Sequence, residues 1–215
     1  MKLHLGCGQI YLDDYKNIDF PLSKHSVQKK SVADEYVDIT ELKFKKETID
    51  EIRLHHVFEH FPRTQAIALI LSWRSWLKKG GILRIEVPDF KKTAKSVLSS
   101  FTSKSIKSIG LRHIFGSQEA SWAVHFHGWD KDELKTLMEI SGYATEKIKT
   151  SRWKGTYNIE IIAKKDSKNI SKVKSKKIAK EWISRYLVDN SNSEIEMLKI
   201  WKTESNKQIE KSWGK

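Results

Sequence analysis

The chain is poor in the residues that cross-link a protein or anchor it in a membrane. Its 215 residues include one cysteine and three prolines, so it cannot form an internal disulfide framework. No apolar run approaches the roughly 18 residues that a membrane span requires, and no signal peptide is evident. A single cysteine agrees with a reducing compartment. We therefore expect a cytoplasmic protein rather than a disulfide-rich secreted scaffold or a membrane protein.

The composition is that of a folded but strongly basic protein. Hydrophobic residues make up 39% and aromatic residues 10%, which is enough for a real core. The formal net charge is +13. Residues 164–215 contain 14 Lys/Arg and 7 Asp/Glu, so this quarter contributes +7. Such a charge favours acidic partners, although a solvated basic tail explains it equally well.

Strand and helix patterns alternate along the first 165 residues. The predicted strands are MKLHL, YKNIDF, EYVDI, TIDEIRLHH, GILRIEVPDF and a closing pair, YATEKIK and TYNIEIIAKK. TQAIALILSWRSWLKK predicts a helix with KKGG as its C-cap, and WDKDELKTLMEISGY predicts one with Asp130 as N-cap. Residues 91–121 suggest a helix plus a mobile loop. This alternation indicates an α/β sheet covered on both faces.

Residues 166–215 have a different character and are predicted to be a basic, amphipathic helical extension of a domain formed by residues 1–165. Apolar residues recur at roughly helical spacing in two groups: Ile170, Val173, Ile178, Trp182, Tyr186 and Leu187, then Ile195, Leu198, Trp201 and Ile209. We expect these stripes to be buried, on the domain or across a homodimer. Peripheral membrane contact through the tail stays open.

The stretch LHLGCGQIYLDDYKNIDF places a glycine turn after the first strand and an acid at the end of the second. Glycines allow a ligand to approach the backbone, and amides there can donate to anionic groups. Asp19 is placed to accept both hydrogen bonds of a ribose diol, and Asp38 to accept one from an adenine amino group. Together they predict an adenosine site, although the glycines alone suit a simple tight turn equally well.

The order and spacing of several motifs resemble those of class I S-adenosylmethionine-dependent methyltransferases, especially small bacterial ones found among surface-polysaccharide genes. The motifs are LHLGCG, NIDF, VDIT, HVFEH, LKKGGILRIEVPDF, HFHGWDKDELKTLMEISGY and NIEIIAKK, and they cover residues 1 to about 165. The resemblance implies a Rossmann-like, seven-stranded sheet, mostly parallel with an antiparallel closing strand and helices on both faces. It implies S-adenosylmethionine as cofactor and S-adenosylhomocysteine as product.

The same resemblance implies which residues bind the cofactor: Gly6, Cys7, Gly8, Asp19, Asp38, Ile39, Leu54 and His55. We expect Cys7 to pack in the turn rather than act as a nucleophile. Two departures from the family pattern are visible. The short distance from Gly8 to Ile18 leaves no room for a full first helix, and Ile10 replaces a third glycine. The missing G-x-G-x-x-G argues against a nicotinamide-dependent dehydrogenase.

Two histidine clusters offer acid–base chemistry. HHVFEH places His56, Glu59 and His60 after the fourth strand, and WAVHFHGW places His125 and His127 on one side of an extended segment. We predict His56, His125 or His127 as the general base that takes a proton from the acceptor. Packing histidines, and a structural cap formed by Glu59 and His60, are the simpler alternatives.

We predict no metal at the first cluster. H-x-x-E-H also matches an inverted zinc-protease signature, which would require a helix in a protease context. Quinone-type O-methyltransferases carry a similar E-x-x-E-H that can hold a divalent cation. Here His56 replaces the first Glu of that motif, and magnesium prefers oxygen ligands.

The leading functional hypothesis is methyl transfer from S-adenosylmethionine to an oxygen of a sugar or phosphate-bearing group in a surface glycan or its precursor. One alternative is a nucleic-acid methyltransferase with a basic C-terminal clamp. It is disfavoured because no N-P-P-Y-like base-flipping signature follows the fourth strand. A non-catalytic binding module with the same fold is the other alternative.

Overall fold

A single seven-stranded sheet organises the chain. The computed structural model describes residues 1–24 and 30–215. The strands are β1 (Lys2–Leu5), β2 (Tyr15–Asp19), β3 (Glu35–Tyr36), β4 (Ile49–His55), β5 (Leu77–Pro88), β6 (Tyr143–Trp153) and β7 (Thr156–Lys165). Their order is β3-β2-β1-β4-β5-β7-β6. Strands β1 to β5 pair in parallel, and β7 runs antiparallel to both of its neighbours, as the predicted fold class requires.

Six α-helices of the described residues accompany the sheet. They are α1 (Arg63–Trp76), α2 (Phe90–Leu98), α3 (Lys104–Phe115), α4 (Lys131–Ile140), α5 (Lys172–Ser184) and α6 (Asn192–Ser212). The centre of the sheet is covered on both faces, because Leu3, His4 and Leu5 point alternately to opposite sides and are each at most 2% exposed. No helix of the described ranges is both long enough and apolar enough to span a bilayer.

Several predicted boundaries are wrong. β3 ends at Tyr36, and a short 3-10 turn (Ile39–Glu41) follows where the strand was expected to continue. KKGG is not a helix C-cap. α1 ends at Trp76, and the two glycines lie in the irregular start of β5, where the register with β4 shifts. Residues 91–121 hold two helices, α2 and α3, rather than one helix and a loop.

The predicted N-cap of α4 is confirmed. The Asp130 carboxylate accepts from the backbone amides of Asp132 and Glu133, at 2.9 Å each. These bonds satisfy amides that have no partner within the helix. They fix the residue at which α4 begins, directly after the segment that follows residue 121.

Helix α1 is buried around its circumference, since every residue from Ala66 to Trp76 is buried. α5 and α6 pack on it and on each other. The Trp76 indole Nε1 donates to the Ser212 carbonyl at 2.7 Å, and the Gly214 amide donates to Ser75 Oγ at 2.9 Å. The predicted apolar stripes of the tail are therefore buried on this chain's own helix α1.

Not every residue of those stripes is buried. Trp182 and Ile209 are fully buried, whereas Val173 is 79% exposed and Ile195 is 42% exposed. The two exposed residues lie in the first turns of α5 and α6. Helical spacing alone placed them on the buried face, but it does not tell where packing against α1 begins.

Burial in α5 predicts a sharp contrast between two aliphatic residues of that helix. Replacing Ile183, which is fully buried, with alanine removes packed methyl groups and should lower the free energy of unfolding by about 2–5 kcal/mol. Val173→Ala at the exposed position should change it by no more than about 0.5 kcal/mol. Urea unfolding of both variants measures the difference. Equal effects would show that α5 does not pack on the domain in solution.

Candidate functional site

A crevice of about 670 Å³ opens where β1, β2 and β4 end. Because parallel strands end at the same edge of a sheet, residues that follow different strands meet there. Eight of the eleven predicted site residues line the crevice: Gly6, Cys7, Gly8, Asp19, Asp38, Ile39, His55 and His56. The other three, Leu54, His125 and His127, do not.

The glycine turn forms one wall of the crevice. We expected its amides to donate to an anionic ligand group, but two of them donate within the protein. Gly6 and Gly8 have φ values of 70° and 56°, a region that glycine enters without a Cβ penalty. The amides of Gly6 and Cys7 both donate to the Ile18 carbonyl, at 2.8 and 3.1 Å. No helix forms between β1 and β2. The turn therefore offers close backbone approach rather than the amide cradle of a helix N-terminus.

Cys7 behaves as a packing residue. Its side chain is buried, at 3% exposure. Burial and then the neighbouring Asp19 charge raise the pKa of the thiol to about 11. A thiol that stays protonated at neutral pH is a poor nucleophile, which agrees with the packing role expected from the sequence.

Asp19 lies at the end of β2 with its carboxylate in a defined orientation. It is 4% exposed, and its Oδ1 accepts from the Phe20 amide at 2.9 Å. Oδ2 lies 3.0 Å from Ser31 Oγ, which also lies 3.1 Å from the Gly8 carbonyl. The carboxylate is thus held between the glycine turn and the chain near Ser31. A diol that reaches Asp19 must join or replace that hydroxyl.

Asp38 lines the opposite wall and also has a local role. Its Oδ1 accepts from the amide and the hydroxyl of Thr40, at 2.8 Å each, and so caps the 3-10 turn. The sequence predicted that Asp38 follows a strand and accepts a hydrogen bond from an adenine amino group. Both cap bonds use Oδ1 and Asp38 lines the crevice, so a ligand contact through Oδ2 is compatible with the cap.

The last two residues of β4 lie in different surroundings, one in the core and one in the crevice. Leu54 is fully buried in the core, so it is not the crevice residue that the family resemblance implied. His55 lines the crevice and its Nε2 lies 3.4 Å from Glu86 Oε2, at the end of β5. This hydrogen bond to His55, followed by the charge of His55, holds the pKa of Glu86 below its usual range.

His56 has an unusual backbone and a buried acidic partner. Its φ is 54°, a left-handed conformation that is uncommon for a residue other than glycine, and its amide donates to the Glu86 carbonyl at 2.9 Å. Its Nδ1 lies 3.3 Å from Glu59 Oε1. Burial is the largest single cause and lowers the pKa of His56, but the hydrogen bond to Glu59 and the charges of Glu59 and Glu86 together outweigh it, so the pKa is raised. Strained backbone of this kind clusters at functional sites.

Glu59 lies at the centre of a group of imidazoles. It is 1% exposed, in a short 3-10 turn (Phe58–His60). Burial raises its pKa, yet the hydrogen bond from His56 and the nearby His60 and His125 outweigh burial and hold the pKa below the usual value. The Phe126 amide donates to the Glu59 carbonyl at 2.9 Å, which brings the segment with His125 onto this turn.

His125 and His127 do not lie on one side of the segment, as the sequence had predicted. His125 faces the first cluster, with its ring 4.8 Å from the His60 ring and its Nε2 3.9 Å from Glu59 Oε1. His127 faces Glu133 of α4 and Tyr186, which follows α5; its ring lies 5.7 Å from the Tyr186 ring and its Nε2 3.8 Å from Glu133 Oε1. The segment therefore places the two imidazoles in different environments.

Sequence reasoning missed several crevice residues. Phe20 and Trp122 line it with their rings 6.3 Å apart, although they are about one hundred positions apart in sequence. Sequence reasoning also missed Glu86, which contacts the crevice residue His55 but does not itself line the crevice. It is the only acid within the apolar strand GILRIEVPDF before the closing Asp89, and that isolation was the available signal.

The charge of the crevice contrasts with that of the chain. Among the described residues that line it, two are aspartates and none is lysine or arginine. The whole chain carries +13. The described lining therefore offers carboxylates and imidazoles to a ligand and contains no lysine or arginine of the kind that typically holds phosphate groups.

Comparison with solved structures shows what this architecture is similar to. An S-adenosylmethionine-dependent methyltransferase from Mesorhizobium loti aligns with 76% of the chain and 90% of its own length, at 11% identity and a TM-score of 0.52. The 1,6-didemethyltoxoflavin N1-methyltransferase of Burkholderia thailandensis, solved with S-adenosylhomocysteine, aligns over 77% and 71%, at 11% identity and 0.52. The chain has the class I methyltransferase fold.

A third similar structure belongs to an assembly. It is a complex from Haloferax volcanii between the Trm112 methyltransferase activator and a methyltransferase, aligned over 78% of this chain and 82% of that one, at 12% identity and a TM-score of 0.54. No protein-family profile matches the sequence, and no curated protein is similar enough to count as a relative. At these identities the similarity establishes the fold alone.

The close packing of Gly6 against Val57 predicts how a substitution in the glycine turn affects stability. A Cβ added at Gly6 would lie 2.3 Å from Val57 Cγ2, and φ is +70°. Gly6→Ala should therefore destabilise the protein by more than the roughly 1–2 kcal/mol that a left-handed conformation costs an L-residue. In a Val57→Ala background the clash disappears and only the backbone cost should remain. Thermal unfolding of the four proteins tests this, and an unchanged Gly6→Ala effect in that background would contradict it.

Proposed function

We propose that this chain transfers a methyl group from S-adenosylmethionine to an acceptor oxygen. The observation that carries the proposal is a crevice with two aspartates and no described basic residue, at the strand ends of a methyltransferase fold. S-adenosylmethionine has a net positive charge, so a carboxylate-lined crevice attracts it, whereas a dinucleotide or ATP would bring phosphates to a site whose described lining holds no lysine or arginine.

The residues suggest how the cofactor would bind. Asp19 supplies a carboxylate for the ribose diol, and Phe20, Val37 and Ile39 supply apolar surface for the adenine ring. Asp38 supplies an acceptor for the adenine amino group. The glycine turn, with Gly6 and its neighbours, leaves room for the backbone to approach the sulfonium side of the ligand.

The chemistry needs little beyond positioning and removal of one proton. The acceptor oxygen attacks the methyl carbon in line with the carbon–sulfur bond, the oxygen–carbon bond forms, and the sulfonium becomes the neutral thioether of S-adenosylhomocysteine. The acceptor's hydroxyl proton passes to a base. His56 suits that role because it lines the crevice and is oriented by Glu59.

The acceptor class rests on the motif resemblance described above, namely an oxygen of a sugar or phosphate-bearing group in a surface glycan or its precursor. The nucleic-acid alternative would use the basic tail as a clamp. A salt-dependent nucleic-acid binding assay separates the two, since phosphate contacts weaken steeply with salt. The absence of methyl transfer to any acceptor, with cofactor binding intact, would favour the non-catalytic binding module.

Cofactor binding is tested by one conservative substitution. Asp19→Asn removes the charge from the ribose hydrogen bonds, so it should weaken S-adenosylmethionine and S-adenosylhomocysteine by about 1.5–3 kcal/mol, or about 10- to 150-fold. Asp14→Asn is the matched control, because the Asp14 side chain is 84% exposed and lies outside the crevice. Isothermal calorimetry measures both. If the unmodified protein binds neither ligand, the proposed function fails.

Turnover is tested with a radiolabelled methyl group and a panel of surface-glycan precursors. With the acceptor that reacts, His56→Ala should lower turnover about 10²- to 10⁴-fold and leave cofactor affinity nearly unchanged, because only proton removal is lost. His127→Ala should stay close to the unmodified protein, since its imidazole faces Tyr186. Unchanged turnover in His56→Ala would show that positioning suffices without this base.

A further inference from the structure

We propose, contrary to the sequence prediction of no metal at the first histidine cluster, that Glu59 and His60 of that cluster bind one divalent transition-metal ion together with His125 at the wall of the crevice. One potential ligand atom from each residue lies within 4.8 Å of the other two. Two imidazoles and one carboxylate form a donor set typical of zinc and of non-haem iron(II), with coordination positions left for a further ligand.

The imidazoles are oriented as metal ligands usually are. His60 Nδ1 lies 3.1 Å from the Val124 carbonyl, and His125 Nδ1 lies 3.1 Å from the His113 carbonyl. A carbonyl oxygen can only accept, so each Nδ1 is the donor, which leaves each Nε2 as the ring nitrogen that can bind a metal ion. Backbone carbonyls that fix the other ring nitrogen are the common second layer of metal-bound histidines.

Glu59 is an unusual buried acid in the same cluster. Its residue is 1% exposed, and its Oε2 has no hydrogen-bond partner among the described residues. Oε1 accepts from His56 Nδ1 at 3.3 Å. A buried carboxylate oxygen without a partner is costly. A cation bound among Glu59, His60 and His125 would offset that cost if it took Oε2 as its carboxylate ligand and Nε2 of each imidazole as the others.

The required movement is small. Ligands about 2.1 Å from a tetrahedral ion lie about 3.4 Å apart, so ligand atoms that lie within 4.8 Å of one another must approach by at most about 1.4 Å. Side-chain rotation of His60, which is half-buried at the edge of the crevice, can supply much of that. The two nitrogen donors favour a transition metal over magnesium, which prefers oxygen.

A second group of potential ligands is less suitable. His55, His56 and Glu86 also offer atoms within 4.8 Å of one another. In that group Glu86 is already within 3.4 Å of His55, and the side chains of His55 and His56 are 35% and 30% exposed. It has no unpartnered buried oxygen. It therefore serves as the internal control.

The ion would lie at the crevice wall, because His60 also lines the crevice. There it could hold the acceptor hydroxyl and lower its pKa, so that the proton leaves to His56 or solvent before the methyl carbon is attacked. This role rests on the proposed function, whereas binding of the ion does not.

The experiment uses untagged, metal-free full-length protein. Titration with Co²⁺ should give the visible absorption of a four- or five-coordinate site at one equivalent per chain, and Zn²⁺ should displace Co²⁺. His125→Gln and the isosteric Glu59→Gln should each weaken Zn²⁺ binding by at least the 10- to 100-fold typical of second-layer changes. Circular dichroism confirms that each variant is folded.

Two controls locate the site. His127→Gln changes a residue of the same segment whose imidazole faces Tyr186 and Glu133, and His55→Gln removes a ligand of the second group. Both variants should keep the cobalt spectrum and the Zn²⁺ affinity. The proposal is overturned if folded wild-type protein gives no such spectrum, or if binding survives His125→Gln and Glu59→Gln, or follows His55 instead. Calorimetry with S-adenosylmethionine on the metal-free protein separates such a failure from a failure of the proposed function.

Discussion

The burial of the Glu59 carboxylate is the physical constraint on which the arrangement of the crevice wall depends. An ionised carboxylate removed from water is costly unless donors or cations surround it. Here His56, His60 and His125 surround it, and they come from the end of β4, the following 3-10 turn and a segment more than sixty residues later. The backbone of Glu59 adds to this, since its carbonyl accepts from Phe126. One acid thus ties three parts of the chain to the wall of one site.

The parts of the site that the sequence predicted are those set by the strand ends. Asp19 and the glycine turn follow β2 and β1 directly, and parallel pairing then brings both to one edge. This inference needs only strand positions and the rule that parallel strands end together. The correct sheet class has the same origin, because strands that alternate with helices imply parallel pairing.

The parts that failed depend on contacts between distant segments. Alternation placed His125 and His127 on one side of an extended segment, yet one packs on Glu59 and the other on Tyr186 of the tail. The irregular backbone there, with an isolated bridge from Gly116 to Val124, breaks the simple alternation. Leu54 illustrates the same limit, since a strand's last residues alternate between core and crevice and the choice depends on what covers each face.

The distribution of charge refines the acceptor within the proposed function. The chain's cations lie outside the described crevice lining, and several in the tail are paired, such as Lys172 and Lys176 with Glu210. At physiological ionic strength exposed charges are screened within about 8 Å. Asp19 and Asp38 therefore contribute most to the field of the described lining. A phosphate oxygen as nucleophile would bring a second anion beside these carboxylates, and no lysine or arginine of the described lining could hold it. A neutral sugar hydroxyl carries no such penalty, so within the proposed function we favour a sugar oxygen over a phosphate oxygen as the methyl acceptor.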